Sequence, residues 1–441
     1  MNTLIDLLIE ARWIIPVEPA NIVLENHAVA IDKGRIVAIL QQSDATLRFS
    51  PREIKRLPHH ILIPGLVNLH THSAMTLLRG LADDLPLMEW LQNHIWPAEA
   101  KHVSEQFVHD GTLIACAEML RGGTTCFNDM YFYPKATAKA ARASGMRAAI
   151  GLITLDFPTS YAADADDYLA KGMAARDELR DEPLLSFCLA PHAPYTVNDR
   201  NFIKALTLAE QCDLPIHLHL HETTKEIEDS LQLFGIRPLE RLRRLGLLSP
   251  GLIAAHGVHL NADEIALLAQ HGCSIAHCPS SNLKLASGIA PIAALAKEGV
   301  NIGLGTDGAA SNNRLDMFQE MRLAALLAKG SSGQAEAVGA HEALRMATLG
   351  GARALGLDAE TGSISEGKAA DLCALNINDI GLSPCYDPAS LLVYSAGREF
   401  VTDVWVAGQN RVEDGHLLGA HEIELINLAS LWQNQVRPRN V

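Results

Sequence analysis

The chain has 441 residues, 48% of them apolar and 20% charged, and a formal net charge of −15. That length suits a large α/β barrel with added structure, and the acidic balance would repel a phosphate backbone, which argues against a nucleic-acid partner. No uncharged run reaches the ~20 residues of a membrane span, and the start MNTLIDLLIEARW carries Asp6 and Glu10 where a basic leader would stand. Eight cysteines are scattered without a C-x-x-C pair, the usage of reduced core thiols in a cytoplasmic protein.

The first ~60 residues read as short strands by the hairpin rules. In VAIDKGRIVAIL, Lys33-Gly34 separates two β-branched runs and marks a turn. From residue 61 onward, strand-like and helix-like stretches alternate, the pattern of βα units. The expected strands are 61–70, 124–129, 147–153, 184–192, 215–222, 252–260, 273–281 and 301–308, with helical segments such as 106–122 and 263–272 between them. Eight such units predict a (β/α)8 TIM-type barrel, and no G-x-G-x-x-G follows a strand to support a dinucleotide-binding sheet. Residues 329–339 (KGSSGQAEAVG) read as a mobile loop. The tail returns to β-type patterning, with a turn expected at Gly408-Gln409-Asn410. Residues 1–62 and 366–441 are therefore expected to join as one small β-sandwich domain around a barrel spanning 63–365.

Chemistry-bearing residues collect near the C-terminal ends of the expected strands, where such barrels keep their active sites. His70 and His72 stand two apart in HTH, so a strand directs both to one face. With His219 in HLHE and Asp307 in GTDG they make four candidate ligands for one divalent cation. Such a cation brings the pKa of its water to about 7. His217, His219 and His221 share a face by parity, so the spacing alone does not choose among them. Glu222 favours His219, because H-x-x-E places the acid beside the reacting atom while His217 sits deeper. His221 reads as a same-side or rim residue, and His259 as a helix cap or solvent-facing group. His256, before Gly257, is either a further ligand or a hydrogen-bond partner of the water, and the second is favoured because four ligands already exist. The glycine would leave room for a ligand to approach. Asp307 can bind metal through one oxygen and take a proton on the other, while Glu222, near apolar walls, can be held protonated to serve a ring nitrogen.

With those residues placed, the chain resembles the amidohydrolase superfamily. Within it the chain is most similar to the branch of 5-methylthioadenosine/S-adenosylhomocysteine deaminases and chlorohydrolase-like enzymes. The resemblance rests on PGLVNLHTHSAMTLLRG (64–80), APHAPYT (190–196), HLHE, AHGVHL, HCPSSNLKLASG (277–288), GTDGAASNN (305–313) and GSISEGKAADL (362–372). It implies a barrel with a composite β-domain and a single zinc or iron(II) ion, since strand four ends in LAPHAPY without the bridging lysine of two-metal relatives. Residue by residue, it implies His70, His72, His219 and Asp307 as ligands, Glu222 as proton donor to the purine and His256 as the group orienting the attacking water. His192 would contact base or ribose, Glu99 would hold the ribose hydroxyls, and Trp90 would close over the substrate. Ser280, Ser281 and Asn282 would shape their loop. The implied reaction is hydrolytic deamination of an adenine nucleoside, with a free heteroaromatic base as the alternative substrate. Residues 155–172 hold no arginine and four aspartates (Asp156, Asp164, Asp166, Asp167), so methylthioadenosine or adenosine is expected over the homocysteine conjugate. A homodimer or higher homo-oligomer is expected by association.

Overall fold

The computed structural model describes residues 2–437; Met1 and the last four residues of the expected C-terminal segment lie outside the described residues. Among the described residues, sixteen strands form two eight-stranded sheets. The first four are β1 (Thr3–Ile14), β2 (Leu24–Asp32), β3 (Arg35–Gln41) and β4 (Phe49–Pro64). Eight more follow as β5 (Leu66–Thr71), β6 (Thr124–Tyr131), β7 (Arg147–Thr154), β8 (Leu185–Pro191), β9 (Ile216–Leu220), β10 (Leu252–His256), β11 (Ser274–His277) and β12 (Asn301–Leu304). The last are β13 (Leu372–Asn376), β14 (Val401–Val406), β15 (Gln409–Glu413) and β16 (His416–Leu417).

Strands β5 to β12 lie side by side in chain order, and the pairs registered between them are parallel. All residues of β5, β6, β7, β9, β10 and β11 are buried, as expected where helices cover one face and the barrel interior the other. The ring comes together where β12 meets β5. Thr306 N–H donates to Asn68 Oδ1 at 2.9 Å, Asn68 Nδ2 donates to Thr306 Oγ1 at 2.8 Å, and Asp307 N–H donates to the His70 carbonyl at 2.9 Å. Gly305 permits this approach, because a Cβ there would lie 2.8 Å from the His70 backbone nitrogen.

The two chain ends build the second sheet, in the order β16-β15-β14-β13-β4-β1-β2-β3. β13 pairs antiparallel with β4, which joins the two termini directly. The Lys33-Gly34 turn is present with both residues left-handed (φ 50° and 76°), as a two-residue hairpin of matching twist requires. Buried Arg147 ties this sheet to the barrel through Asp371, with Arg147 Nε 2.9 Å from Asp371 Oδ2.

Several local expectations change. The expected first barrel strand splits, its residues 61–64 completing β4 and its remainder starting β5. The second tail turn is Ala407-Gly408 (φ 47° and 72°), and Gln409-Asn410 already belong to β15. Residues 329–332, expected in a loop, are the last turn of helix Met317–Ser332, which ends at left-handed Gly333. The tail also carries helix Glu422–Val436, which packs on the barrel: Trp432 Nε1 donates to Asp110 Oδ2 at 2.9 Å and its ring meets Phe107 edge-on. Among the described residues no helix is long and apolar enough to cross a membrane, and all eight cysteines are free.

Candidate active site

At the C-terminal ends of the barrel strands lies a cavity of about 610 Å³, ample for a nucleoside-sized ligand. One pole is polar. His70 and His72 emerge from the end of β5 and from just beyond it, and their Nε2 atoms lie 3.3 and 3.2 Å from Asp307 Oδ1. His219, on β9, brings its Nε2 to 3.3 Å from His72 Nε2. The donor atoms of His70, His72 and His219 lie within 4.8 Å of one another, as do those of His70, His256 and Asp307.

Each imidazole is aimed by a bond from its other nitrogen. His72 Nδ1 bonds the Met130 carbonyl at 2.7 Å, His219 Nδ1 the His192 carbonyl at 2.8 Å, and His70 Nδ1 meets His217 Nε2 at 3.0 Å. Such bonds fix the tautomer that leaves Nε2 for a cation. His217 therefore sits beneath the site as a hydrogen-bonded barrel residue, held in turn by Asn128 at 3.0 Å. Two serine hydroxyls reach the free oxygen of Asp307: Ser281 Oγ at 2.6 Å and Ser311 Oγ at 2.8 Å both donate to Oδ2. Oδ1 alone is left for a metal and for a water proton.

The residues fit a divalent cation. His70 Nε2 is fully buried without a hydrogen bond of its own. Burial lowers His70 to about 4, so its ring is a neutral donor. His72 is raised to about 9 by Asp307 despite its own burial. Asp307 itself is held well below the carboxylate range by His70 and His72, against burial that would raise it. The cluster thus calls for one positive charge beside Asp307, which a proton on His72 or a bound cation supplies. Imidazole nitrogens with one carboxylate suit zinc and iron(II) alike.

Beside this cluster stands Glu222, 5% exposed and raised by burial. His256 Nε2 lies 3.8 Å from Glu222 Oε2, and its Nδ1 bonds Asn282 Oδ1 at 2.8 Å. His192, lowered by burial to about 3, is neutral, and Thr196 Oγ1 lies 2.9 Å from its Nδ1. Glu99, in helix Trp96–His102, accepts a 2.7 Å bond from Tyr131 Oη and is pushed up to about 7 by burial. It is not a solvated surface acid. Trp90 lines the cavity wall.

The other pole is apolar, walled by Leu87, Leu91, Trp96, Leu155 and Phe157, and among the described residues no lysine or arginine lines the cavity. The aspartates of 155–172 do not face it. Asp156 accepts bonds from Asn198 and Asn201, Asp164 caps helix Ala165–Leu179, and Asp166 and Asp167 pair with Lys204 and Lys171.

Other expectations are corrected. Parity fails at His221, which follows the end of β9 with φ 54°; its Nε2 accepts the Leu239 N–H at 3.1 Å, away from the cavity. His259 bonds the Ser287 carbonyl at 2.8 Å, while Asn261 caps the following helix. Gly257 (φ 57°) faces Ile275 and Leu260, so it serves the turn rather than a ligand's approach. Ser281 and Asn282 hold Asp307 and His256 directly; only Ser280 stays with the loop, bonded to Glu320 and Gln319. Sequence reasoning passed over Ser311, whose spacing of four from Asp307 in GTDGAAS was the available signal.

Three comparisons bear on this geometry. A 5-methylthioadenosine/S-adenosylhomocysteine deaminase of Teredinibacter turnerae is 46% identical over 435 residues, 99% of this chain and 98% of its own. One from Saccharophagus degradans is 46% identical over 432 residues, covering 98% and 97%. Among solved structures, an adenosine deaminase from Xanthomonas campestris with bound zinc matches at 50% identity with a TM-score of 0.98, over 99% of this chain and 100% of that one. An atrazine chlorohydrolase from Arthrobacter aurescens TC1 complexed with zinc matches at 25% identity and a TM-score of 0.89, over 97% and 99%. The profile described as "Amidohydrolase family" matches residues 61–411, and with these relatives along the whole length the chain belongs to the amidohydrolase family.

Proposed function

We propose that this protein hydrolytically deaminates adenine nucleosides, with 5′-methylthioadenosine and adenosine preferred over S-adenosylhomocysteine. It is a hydrolase of C–N bonds, as its family and its deaminase-named relatives indicate. The carrying observation is one cavity that holds the imidazole–carboxylate cluster, buried Glu222 beside it, and half-buried Glu99 farther along. A proton-bearing acid for the ring and a second acid for ribose hydroxyls together describe a nucleoside.

His70, His72, His219 and Asp307 would hold one divalent ion, zinc by this reading with iron(II) as the alternative. When bound it supplies acidity, bringing water to a pKa of about 7. Water adds its oxygen to C6 of the purine, the C6–N bond breaks, and ammonia leaves with an inosine-type product. Glu222, whose pKa is raised by burial, gives its proton to the adjacent ring nitrogen. His256 orients the water from the side facing Glu222, and Asp307 Oδ1 takes the water proton and passes it to the departing amino nitrogen. The C6 hydroxyl proton returns to Glu222 as the C6–O double bond forms. His192 contacts the sugar or base as a neutral imidazole, Glu99 accepts from the ribose hydroxyls, and Trp90 packs over the substrate.

The apolar pole suits a methylthio group, and the absence of a lining cation leaves the homocysteine carboxylate unmatched. An absorbance assay across adenine nucleosides and free bases tests the reading: loss of the amino chromophore is expected with methylthioadenosine and adenosine. Turnover of free bases alone would reverse it in favour of the heteroaromatic alternative, which the chlorohydrolase likeness supports. The same reading places the enzyme in the cytoplasm, supported by its free thiols, as a homodimer or higher homo-oligomer. Exposed Ile423, Ile426 and Leu431 on the last helix support association, and light scattering measures it.

A further inference from the structure

Behind Glu222, outside the reaction cavity, lies a second buried acid that the mechanism does not use. Glu226 is 6% exposed, and both its oxygens are engaged. Oε1 accepts the His221 N–H at 3.0 Å and Oε2 accepts the Glu222 N–H at 2.9 Å. It occupies the third position of helix Thr224–Phe234, whose cap is Thr223. A glutamate there ordinarily reaches back to the cap residue's own amide. This chain contains that ordinary arrangement one strand further on, where Asn261 and Glu264 form a reciprocal capping box. Glu226 instead skips the cap and grips the two amides before it.

Those two amides belong to the turn that aims Glu222. His221 there is left-handed (φ 54°), a strained conformation for a residue with a Cβ. The left-handed step breaks the strand's alternation just before Glu222, which lines the cavity while His221 does not. A single planar carboxyl group that accepts one N–H on each oxygen ties the two amides to each other, and so can hold a strained turn in one geometry. We propose that Glu226 is a positioning residue for the reaction: its carboxylate grips the His221 and Glu222 amides and so fixes where Glu222 presents its proton. The inference rests on the role given to Glu222 above.

The test compares wild type, Glu222→Gln, Glu226→Gln and the double variant, reading kcat, KM for methylthioadenosine and bound metal. The glutamine at 226 keeps one acceptor and sets an NH2 group against the other amide. Glu226→Gln is expected to lower kcat by about 10- to 100-fold, the scale of a displacement near 1 Å, with KM and metal content unchanged. In the Glu222→Gln background the same change should cost less than about threefold, because residues acting as a unit are not additive. Full multiplication of the two losses, a loss of metal, or kcat within about twofold of wild type, a difference too small for a lost unit, overturns the proposal. Wild-type activity of Glu222→Gln would instead remove the reading of Glu222, which keeps the two failures apart. If Glu226→Gln does not fold, Thr223→Val, which loosens the same turn at its cap, decides by the same criterion: a smaller kcat loss that disappears with Glu222→Gln supports the proposal, and a multiplying one overturns it.

Discussion

The two poles of the cavity are built in opposite ways. The polar pole hangs on strand ends: its histidines lie on or just after β5, β9 and β10, and their ring nitrogens are pinned by neighbouring carbonyls and side chains. The apolar pole is assembled from loops and short helices, where Phe157 is 39% exposed. Rigid strands suit groups that must be placed within tenths of an ångström, whereas loops suit a wall that only needs to be apolar. Chemistry should therefore be brittle at one pole and selectivity adjustable at the other.

The largest expected effect is at the polar pole. Asp307→Ala or His219→Ala should abolish metal retention and lower kcat by at least about 10³-fold, since a catalytic cation supplies several kcal/mol; metal analysis with a kinetic assay checks both. Glu222→Gln should come next, lowering kcat by about 10²- to 10⁴-fold with metal retained. Glu222 acts in its protonated form and burial raises its pKa, so kcat should fall as pH rises through that raised value. The glutamine variant should lose this alkaline limb of the pH profile.

Between the poles, Glu99→Ala should reduce kcat/KM for nucleosides by about 10- to 100-fold, the loss of charged hydrogen bonds to the ribose, and leave any turnover of free adenine unchanged. Because Glu99 is pushed up to about 7, it gains its charge as pH rises through neutrality, and KM for nucleosides should fall over that interval. Equal losses for adenine and its nucleosides would detach Glu99 from the sugar. The smallest effect belongs to the apolar pole: Phe157→Arg should shift the ratio of kcat/KM toward S-adenosylhomocysteine by roughly fivefold, the scale of an exposed charge pair. A ratio that does not move would mean that the tail leaves by another path.

The contrast also explains what the sequence revealed. Two-residue parity placed His70 and His72 together because β5 runs through Thr71, even though its pairing with β6 shifts register between Asn68 and Thr71. The same rule misplaced His221, since one left-handed residue resets the alternation and no composition signal announces it. Ligand spacing was readable; the groups that brace the ligands were not. Ser281 and Asn282 act from the short helix Pro279–Lys284 and Ser311 from the turn after β12, placements that ligand spacing does not announce, and Glu226 acts through backbone amides that carry no identity of their own. Charge was misread at Asp164, Asp166 and Asp167, because capping and lysine pairing claim these residues before a substrate does.

The junction at Asn68 and Thr306 joins positions 238 residues apart in the chain. His70 and Asp307 flank it, and by the proposed reading both would supply donors to the same ion. Until the last strand zips onto the first, a nascent or truncated polypeptide can offer only part of the coordination sphere. By that reading, tight uptake of the cation would report completed synthesis, because only a chain whose ring has shut presents the whole donor set.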